Sequence, residues 1–169
     1  MKENIRRQVE KLLLVIACLL TVVFCKSVKA EAKVSIAAGD YNTGLIKQDG
    51  SLWTAGRNDY GQLGNGKTGT DQKKPIKAMT SVSQVAFGSA HTGIIKKDGS
   101  LWMCGYNEYG QLGDGTESDR STPKKIMEGV ASVSAGYRHT GIVKKDGSLW
   151  MHTGATLYET LLSFFLTVL

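Results

Sequence analysis

The chain has 169 residues, which is room for one ordinary domain, and its formal net charge is +6. The first 30 residues contain six Lys/Arg and two Glu and so contribute +4, which leaves +2 for the rest of the chain. Because that remainder carries no basic stripe, the composition argues against a nucleic-acid-binding protein.

The N-terminal segment, residues 1–30, is predicted to be a helical signal peptide. A basic stretch precedes the 13-residue apolar run Leu12–Phe24, and small residues follow up to Ala30. The run is shorter than the roughly 20 residues that a spanning helix needs, so we expect cleavage after Ala30 and a secreted or cell-surface protein. An uncleaved anchor is the alternative. Acylation at Cys18 is disfavoured because the apolar run continues past it.

The remaining chain is built from a repeated unit. The sequence Asp-Gly-Ser-Leu-Trp occurs three times and ends at Trp53, Trp102 and Trp150, spacings of 49 and 48 residues. Such a period falls in the range of solenoids and propellers. We therefore interpret residues 31–150 as repeats at about 34–81, 82–129 and 130–150.

Each repeat predicts a small antiparallel sheet. The Asp-Gly pairs at Asp49, Asp98 and Asp146 separate two short apolar segments. Asp-Gly favours a two-residue hairpin turn in which both residues have positive φ. Further strands are predicted at residues 73–79, 82–88, 123–128 and 130–136. Three to four short strands per repeat are typical of a propeller blade.

One stretch, from Gly61 to Thr68, matches the phosphate-binding pattern G-x-x-x-x-G-K-[ST]. The second repeat keeps the glycines as Gly110 and Gly115 but has no Lys-Thr pair. A phosphate loop also leads into a helix, whereas the sequence after Thr68 lacks helical periodicity. We expect these glycines to serve tight packing within and between blades, not nucleotide hydrolysis.

These residues resemble the repeats of the regulator of chromosome condensation family, also called alpha-tubulin suppressor-like repeats. The second repeat matches G-x-x-H-(S/T)-x-x-(L/I)-x-x-D-G-x-(L/V)-(W/Y)-x-x-G-x-N-x-x-G-Q-L-G from Gly88 to Gly113. The first matches from Gly39 to Gly64, with Asn42 in place of the histidine, and the third from Gly136 to Trp150. The resemblance implies an all-β fold, an incomplete β-propeller of two full blades and one partial blade.

After Trp150 the chain leaves the pattern. Residues 151–169, "MHTGATLYETLLSFFLTVL", lack the Gly-Gln-Leu-Gly signature. We interpret them as an aberrant apolar tail, from a shifted reading frame or a truncated gene. Open sheet edges and blade faces would then favour self-association.

The sequence assigns no catalytic, cofactor-binding or metal-binding residue. His91 and His139 occur once per repeat without a second ligand nearby, so we expect them to bond backbone or pack between strands. Cys104 is the one cysteine after the predicted cleavage site, so no internal disulfide forms. Its counterpart one repeat earlier is Ala55. We therefore expect Cys104 to fill a small apolar gap and do not favour the alternative of a reactive thiol.

The aromatic and acidic residues also have structural interpretations. We expect the three tryptophans to pack in the core, and we favour this role above that of a stacking platform for sugars or bases. A structural role is also favoured for Tyr60 and Tyr109. Loop carboxylates would need close pairing to hydrolyse a glycosidic bond, and spacing along the chain cannot establish that pairing. The carboxylates concerned are Asp59, Glu108, Asp114 and Asp119.

The leading hypothesis is an exported, non-enzymatic protein–protein interaction scaffold. Its ligand would contact the segments that vary between repeats, because propellers bind through loops on their faces. These segments are residues 66–81, residues 115–129 and the turns that start at Gly39, Gly88 and Gly136. No nucleic acid is expected, and a membrane only through an uncleaved signal segment. The alternatives are guanine-nucleotide exchange on a small GTPase, known in the family, and a cell-wall or carbohydrate-binding or hydrolysing protein.

Overall fold

The computed structural model describes residues 34–153 and the strand Thr156–Thr160, and these residues contain twelve β-strands and no helix. The first sheet holds β1 Ser35–Ala38, β2 Asn42–Ile46, β3 Leu52–Gly56 and β4 Gln72–Met79. The second holds β5 Val82–Phe87, β6 His91–Lys96, β7 Leu101–Gly105 and β8 Arg120–Met127. The third holds β9 Val130–Ala135, β10 His139–Lys144, β11 Leu149–Thr153 and β12 Thr156–Thr160.

In each sheet the four strands are neighbours in chain order, and every pair is antiparallel. Each sheet is therefore a meander of the kind that forms a propeller blade. The predicted all-β class and the predicted strands are confirmed. The predicted signal segment lies outside the described residues, and among those described no helix has the length and apolar character needed to cross a bilayer.

The third sheet differs from the other two in the connection between its last two strands. In the first sheet residues 57–71 connect the last two strands, and in the second sheet residues 106–119 do so. Both connections contain Gly-Gln-Leu-Gly. In the third sheet only residues 154–155 separate β11 from β12. The tail thus supplies an outer strand without the long loop of the full repeats.

The three Asp-Gly hairpins are present, but their turns differ from the prediction. Lys47 N donates to Ser51 O at 2.9 Å, and Gly50 N donates to Lys47 O at 2.9 Å. The loop therefore has three residues, a type I turn followed by a left-handed glycine. Gly50 has φ of 83°, whereas Asp49 does not have a positive φ. The prediction of positive φ at both turn residues is wrong.

The aspartate is instead required for its side chain. Asp49 Oδ1 accepts from both the backbone N and the Oγ of Ser51, at 2.8 and 2.7 Å. Ser51 Oγ in turn accepts from Trp53 Nε1 at 3.0 Å. The same chain of bonds occurs in the other two hairpins. The serine hydroxyl bond also lowers the pKa of Asp49. This relay explains why Asp-Gly-Ser-Leu-Trp recurs as a unit.

The apolar core lies between neighbouring sheets. One cluster joins Ile46 and Leu52 of the first sheet to Val85 and Phe87 of the second, and a second cluster joins the second and third sheets in the same way. Glycines allow the sheets to approach closely. A Cβ on Gly44 would lie 2.6 Å from the Phe87 ring, so any larger residue would force the sheets apart. The prediction that glycines permit blade-to-blade packing is confirmed.

Candidate protein-binding surface

The segment that matches a phosphate loop is occupied by its own hydrogen bonds. Gly66 N donates to Ser121 O, and Gly69 N donates to Asn58 O, both at 2.9 Å. The buried Asn58 side chain donates to Lys67 O at 3.0 Å. No helix follows Gly66, as the sequence predicts. The amides that would have to face a phosphate therefore bind protein oxygens instead.

A buried asparagine, whose role was not predicted from the sequence, organises this loop in both full repeats. Asn107 Oδ1 accepts from Leu112 N at 2.9 Å, and its Nδ2 donates to Thr116 O at 2.8 Å. Asn58 makes the equivalent bond to Leu63 N at 3.1 Å. The recurrence of this asparagine before Gly-Gln-Leu-Gly was the signal that could have revealed it.

The four candidate carboxylates each have a separate partner. Asp59 pairs with Arg57, Glu108 accepts from the Tyr106 hydroxyl, and Asp119 accepts from Asn107 N. Asp114 binds Thr116, Arg120 and Lys124. Although burial raises the pKa of Asp114, the hydrogen bonds from these partners hold it well below its usual range. The geometry gives these carboxylates roles in shaping their loops.

His91 joins the second sheet to the third. It is 1% exposed, and its Nε2 lies 2.9 Å from Thr140 Oγ1. Because the Thr140 hydroxyl donates to Gln111 O at 2.8 Å, it accepts from Nε2–H of His91. Burial, together with the nearby charge of His139, lowers the pKa of His91 to about 4. His91 is therefore a neutral side chain packed between sheets, as one of the two sequence expectations has it, and its Nε2 is bonded to the Thr140 hydroxyl.

The other singled-out residues have structural roles. Cys104 is fully buried, and burial raises the pKa of its thiol to about 12, which leaves it unreactive. His152 is 2% exposed at the position equivalent to Cys104, and neither of its ring nitrogens has a partner among the described residues. No group of His, Cys, Asp or Glu within the described residues could hold a metal ion.

The tryptophans lie at the edge of the core and not in its centre. Trp53, Trp102 and Trp150 are half-buried. A lysine ammonium lies over each ring, with Lys47 Nζ only 4.0 Å from the Trp53 centroid. Trp102 and Trp150 pack against the two core clusters. The expected packing role holds, with one ring face covered by a cation.

The described residues also form one surface rich in tyrosine and arginine, which we name the aromatic–arginine surface. It draws on all three sheets, through the turns before β2 and β10 and the residues after β3 and β7. A groove of about 160 Å³ lies within it. The surface consists of Tyr41, Arg57, Tyr60, Tyr106, Tyr109, Tyr137 and Arg138, which include five of the six tyrosines of the chain.

The rings of this surface contact one another. Tyr60 and Tyr106 come from neighbouring sheets, and their centroids are 4.6 Å apart with planes tilted by 53°. The Arg138 guanidinium lies 4.2 Å from the Tyr109 centroid and 5.3 Å from that of Tyr137. No carboxylate in the described part of the chain forms a salt bridge with Arg138. Stacking thus holds Arg138 in place, and no salt bridge to a described residue engages its guanidinium.

The variable turns and the longer variable segments are placed differently. The turns that start at Gly88 and Gly136 contribute groove residues, and Tyr41 of the turn at Gly39 lies under Arg57. Residues 66–81 and 115–129 do not line the groove. Tyr60 and Tyr109, favoured as structural from the sequence, are partly exposed members of the surface.

Two family models, both described as Regulator of chromosome condensation (RCC1) repeat, match the chain. One matches residues 49–95 and 98–143, and the other matches residues 34–62 and 82–111. The chain belongs to the RCC1 repeat family. Each match of the first model begins at a hairpin of one sheet and ends in the next sheet, so the RCC1 repeat and the blade are out of phase.

Solved structures show the same fold. Yeast RCC1 (Prp20) bound to Kap60 matches at 23% identity with a TM-score of 0.64, over 73% of this chain and 32% of that one. Human WBSCR16 matches at 20% identity with a TM-score of 0.68, over 78% and 38%. Prp20p from Saccharomyces cerevisiae, solved in a study of its binding to Gsp1p and histones, matches at 20% identity with a TM-score of 0.65, over 76% and 38%.

This RCC1-repeat chain spans about a third of the length of each of these structures. At such identities the similarity establishes the propeller fold. No curated protein matches the sequence.

Proposed function

We propose that this protein is an exported, non-enzymatic scaffold that binds a protein ligand through the aromatic–arginine surface. The observation that carries the proposal is the convergence of three tyrosines and two arginines from three sheets on one groove, with Tyr41 and Tyr109 stacked beside it. Tyrosine and arginine are enriched in the energetically dominant parts of protein interfaces. Tyrosine also offers a large contact area at a small cost in side-chain entropy.

The position of the surface supports a binding role. Its residues come largely from turns that differ between repeats, while the hydrogen-bonded residues beneath them recur. A recurring scaffold with variable turns suits recognition. Yeast RCC1 (Prp20) has been solved bound to Kap60, and the binding of Prp20p to Gsp1p and histones has been studied. Proteins with this fold therefore bind other proteins, which favours a protein ligand here.

The non-enzymatic part of the proposal rests on the side chains that could have been catalytic. The loop carboxylates hold loops together, the buried His91 is neutral, and the Cys104 thiol is buried with a raised pKa. These groups are committed to structure and do not converge on the groove.

The export part of the proposal rests on the sequence of residues 1–30. A fusion of residues 1–35 to a reporter that is active only outside the cytoplasm tests it. We expect activity and a cleavage product that begins after Ala30. A reporter retained in the cytoplasm would contradict export.

Self-association is the second binding mode that we propose. Its support is the exposure of large apolar side chains on the outermost sheets: Ile36 is 72% exposed and Val143 is 39% exposed. Apolar side chains of this size are usually covered when they lie on the face of a packed sheet.

The test of the ligand surface uses the full chain, immobilised, with extracellular and surface fractions as the source of ligand. Tyr137→Ala combined with Arg138→Ala removes two exposed members of the surface. Lys73→Ala combined with Lys74→Ala, on exposed positions of β4, is the matched control.

We expect a ligand that is retained by the wild type and the control and lost by the surface variant. Once it is identified, its Kd should rise by about thirtyfold in the surface variant, the equivalent of about 2 kcal/mol for one hot spot. Equal affinity of the three proteins would refute binding at this surface.

A further inference from the structure

The junctions between neighbouring sheets use equivalent glycines on the receiving sheet, covered from two different positions of the inserted strand. Gly44 of the first sheet is covered by Phe87 of the second. Gly93 of the second sheet is covered by Val133 of the third, whose methyl group lies 2.9 Å from the position of an added Cβ. At the second junction His91 also pairs with Thr140. Each junction thus joins a receiving face to an inserted strand of the following sheet.

The third sheet has a receiving face that the other described residues leave open. No atom of the described residues lies within 4 Å of a Cβ added to Gly141, the equivalent of Gly44 and Gly93. His139, the equivalent of the buried His91, is exposed. Val143 is 39% exposed, whereas its equivalents Ile46 and Ile95 are 4% and 3% exposed.

The first sheet carries the complementary inserted strand. Ile36 is 72% exposed, although its repeat equivalents Val85 and Val133 are 7% and 4% exposed. Thr43 is exposed, although its equivalent Thr140 is fully buried as the partner of the preceding sheet's histidine. The positions that insert into a preceding sheet are therefore present but uncovered.

We infer that the partner of both faces is a second copy of this chain, packed head to tail. Ile36 of one copy covers Gly141 and Val143 of the next, and His139 donates to the Thr43 hydroxyl as His91 does to Thr140. This inference rests on the self-association proposed above and specifies its register. Because the two faces differ, the contact is heterologous, so copies close into a ring or extend into a chain.

The molecule already contains an interface of this kind. The chain builds the same contact between its second and third sheets, with a buried histidine, an inserted apolar residue and a bare glycine. The open faces present those three elements at the same repeat positions. Because the receiving face of the third sheet is complementary to the inserted strand of the first sheet, these faces fit another copy of the chain better than an unrelated protein.

The test measures the sedimentation velocity of the full chain and of two variants. Ile36→Glu places a charge on the inserted strand, and Val143→Glu places one on the receiving face. Lys73→Glu, at an exposed position of β4, is the control. We expect the wild type and the control to form oligomers and each face variant alone to be monomeric, because a charge cannot be buried unpaired.

Mixing the two face variants gives the decisive result. Ile36→Glu retains an intact receiving face, and Val143→Glu retains an intact inserted strand. An equimolar mixture should therefore form a 1:1 dimer that grows no further. If a face variant loses its near-UV circular dichroism, Ile36→Ser or Val143→Thr replaces it, with the same expectation of weakened association.

The outcomes distinguish a failure of the head-to-tail register from a failure of self-association itself. A monomeric wild type would overturn both self-association and this register. Face variants that associate like the wild type, or a mixture that forms no dimer, would overturn the head-to-tail register alone and leave self-association standing.

Discussion

The buried His91 makes the junction between the second and third sheets sensitive to acid. Its pKa is lowered from 6.5 to about 4, chiefly by burial. As the pH falls below 6.5, the unfolded chain takes up this proton before the folded chain does. The stability that neutral His91 contributes is therefore complete above pH 6.5 and is lost as the pH falls to about 4.

The size of the effect follows from the shift. Each pKa unit corresponds to about 1.4 kcal/mol, so the change from 6.5 to about 4 amounts to about 3 kcal/mol of unfolding free energy. Several aspartates have a lowered pKa in the folded chain, so the stability that they contribute is also lost in acid. A comparison of two proteins that share those aspartates isolates the histidine.

The second protein is the His91→Asn variant, which copies Asn42 of the first repeat. The shorter asparagine does not replace the bond to Thr140, since Asn42 donates to Arg57 O within its own sheet, and it does not titrate in this range. We expect urea unfolding, followed by tryptophan fluorescence, to show the variant less stable than the wild type by about 1 kcal/mol at pH 7.5, the value of one neutral hydrogen bond. Between pH 7.5 and 4 the difference should shift by about 3 kcal/mol in favour of the variant.

Equal pH dependence of the two proteins would refute this reasoning. It would mean that His91 has the same pKa in the folded and unfolded chain and therefore is not desolvated at the junction.

Two further predictions concern hydrogen bonds. Ser100→Ala removes the bridge between Asp98 and Trp102 and should cost about 1–2 kcal/mol in urea unfolding; a loss below about 0.5 kcal/mol would show that the relay is not stabilising. His152→Cys replaces a buried imidazole whose nitrogens lack partners among the described residues with the residue found at the equivalent Cys104 position. It should raise the unfolding free energy by about 1–2 kcal/mol, and a lower urea midpoint would contradict that expectation.

Much of the fold could be predicted from the sequence because the information was local and repeated. The hairpins follow from Asp-Gly between apolar segments, and the strands from short apolar runs bounded by glycine or proline. The buried role of Cys104 followed from comparison with Ala55. Repetition strengthened each inference, because a residue present in every unit serves the unit.

The geometry of the hairpin turns could not be predicted from the sequence. A three-residue loop and a two-residue loop use the same Asp-Gly pair, and the difference lies in the bonds of Asp49 to Ser51. Those bonds depend on the position of a side chain within the turn. Propensity for a positive φ cannot report them.

The sequence by itself determined that this chain repeats a β-sheet unit of the RCC1 type and where its hairpins and most of its strands lie, although β12 was not predicted. Only the tertiary structure decided that His91 bonds Thr140, 49 residues away, and that Tyr60 and Tyr106 meet across two sheets. Strands and turns arise from interactions between residues close in the chain. Contacts across a junction depend on how one sheet packs on the next, which glycines such as Gly93 permit but which no single repeat encodes.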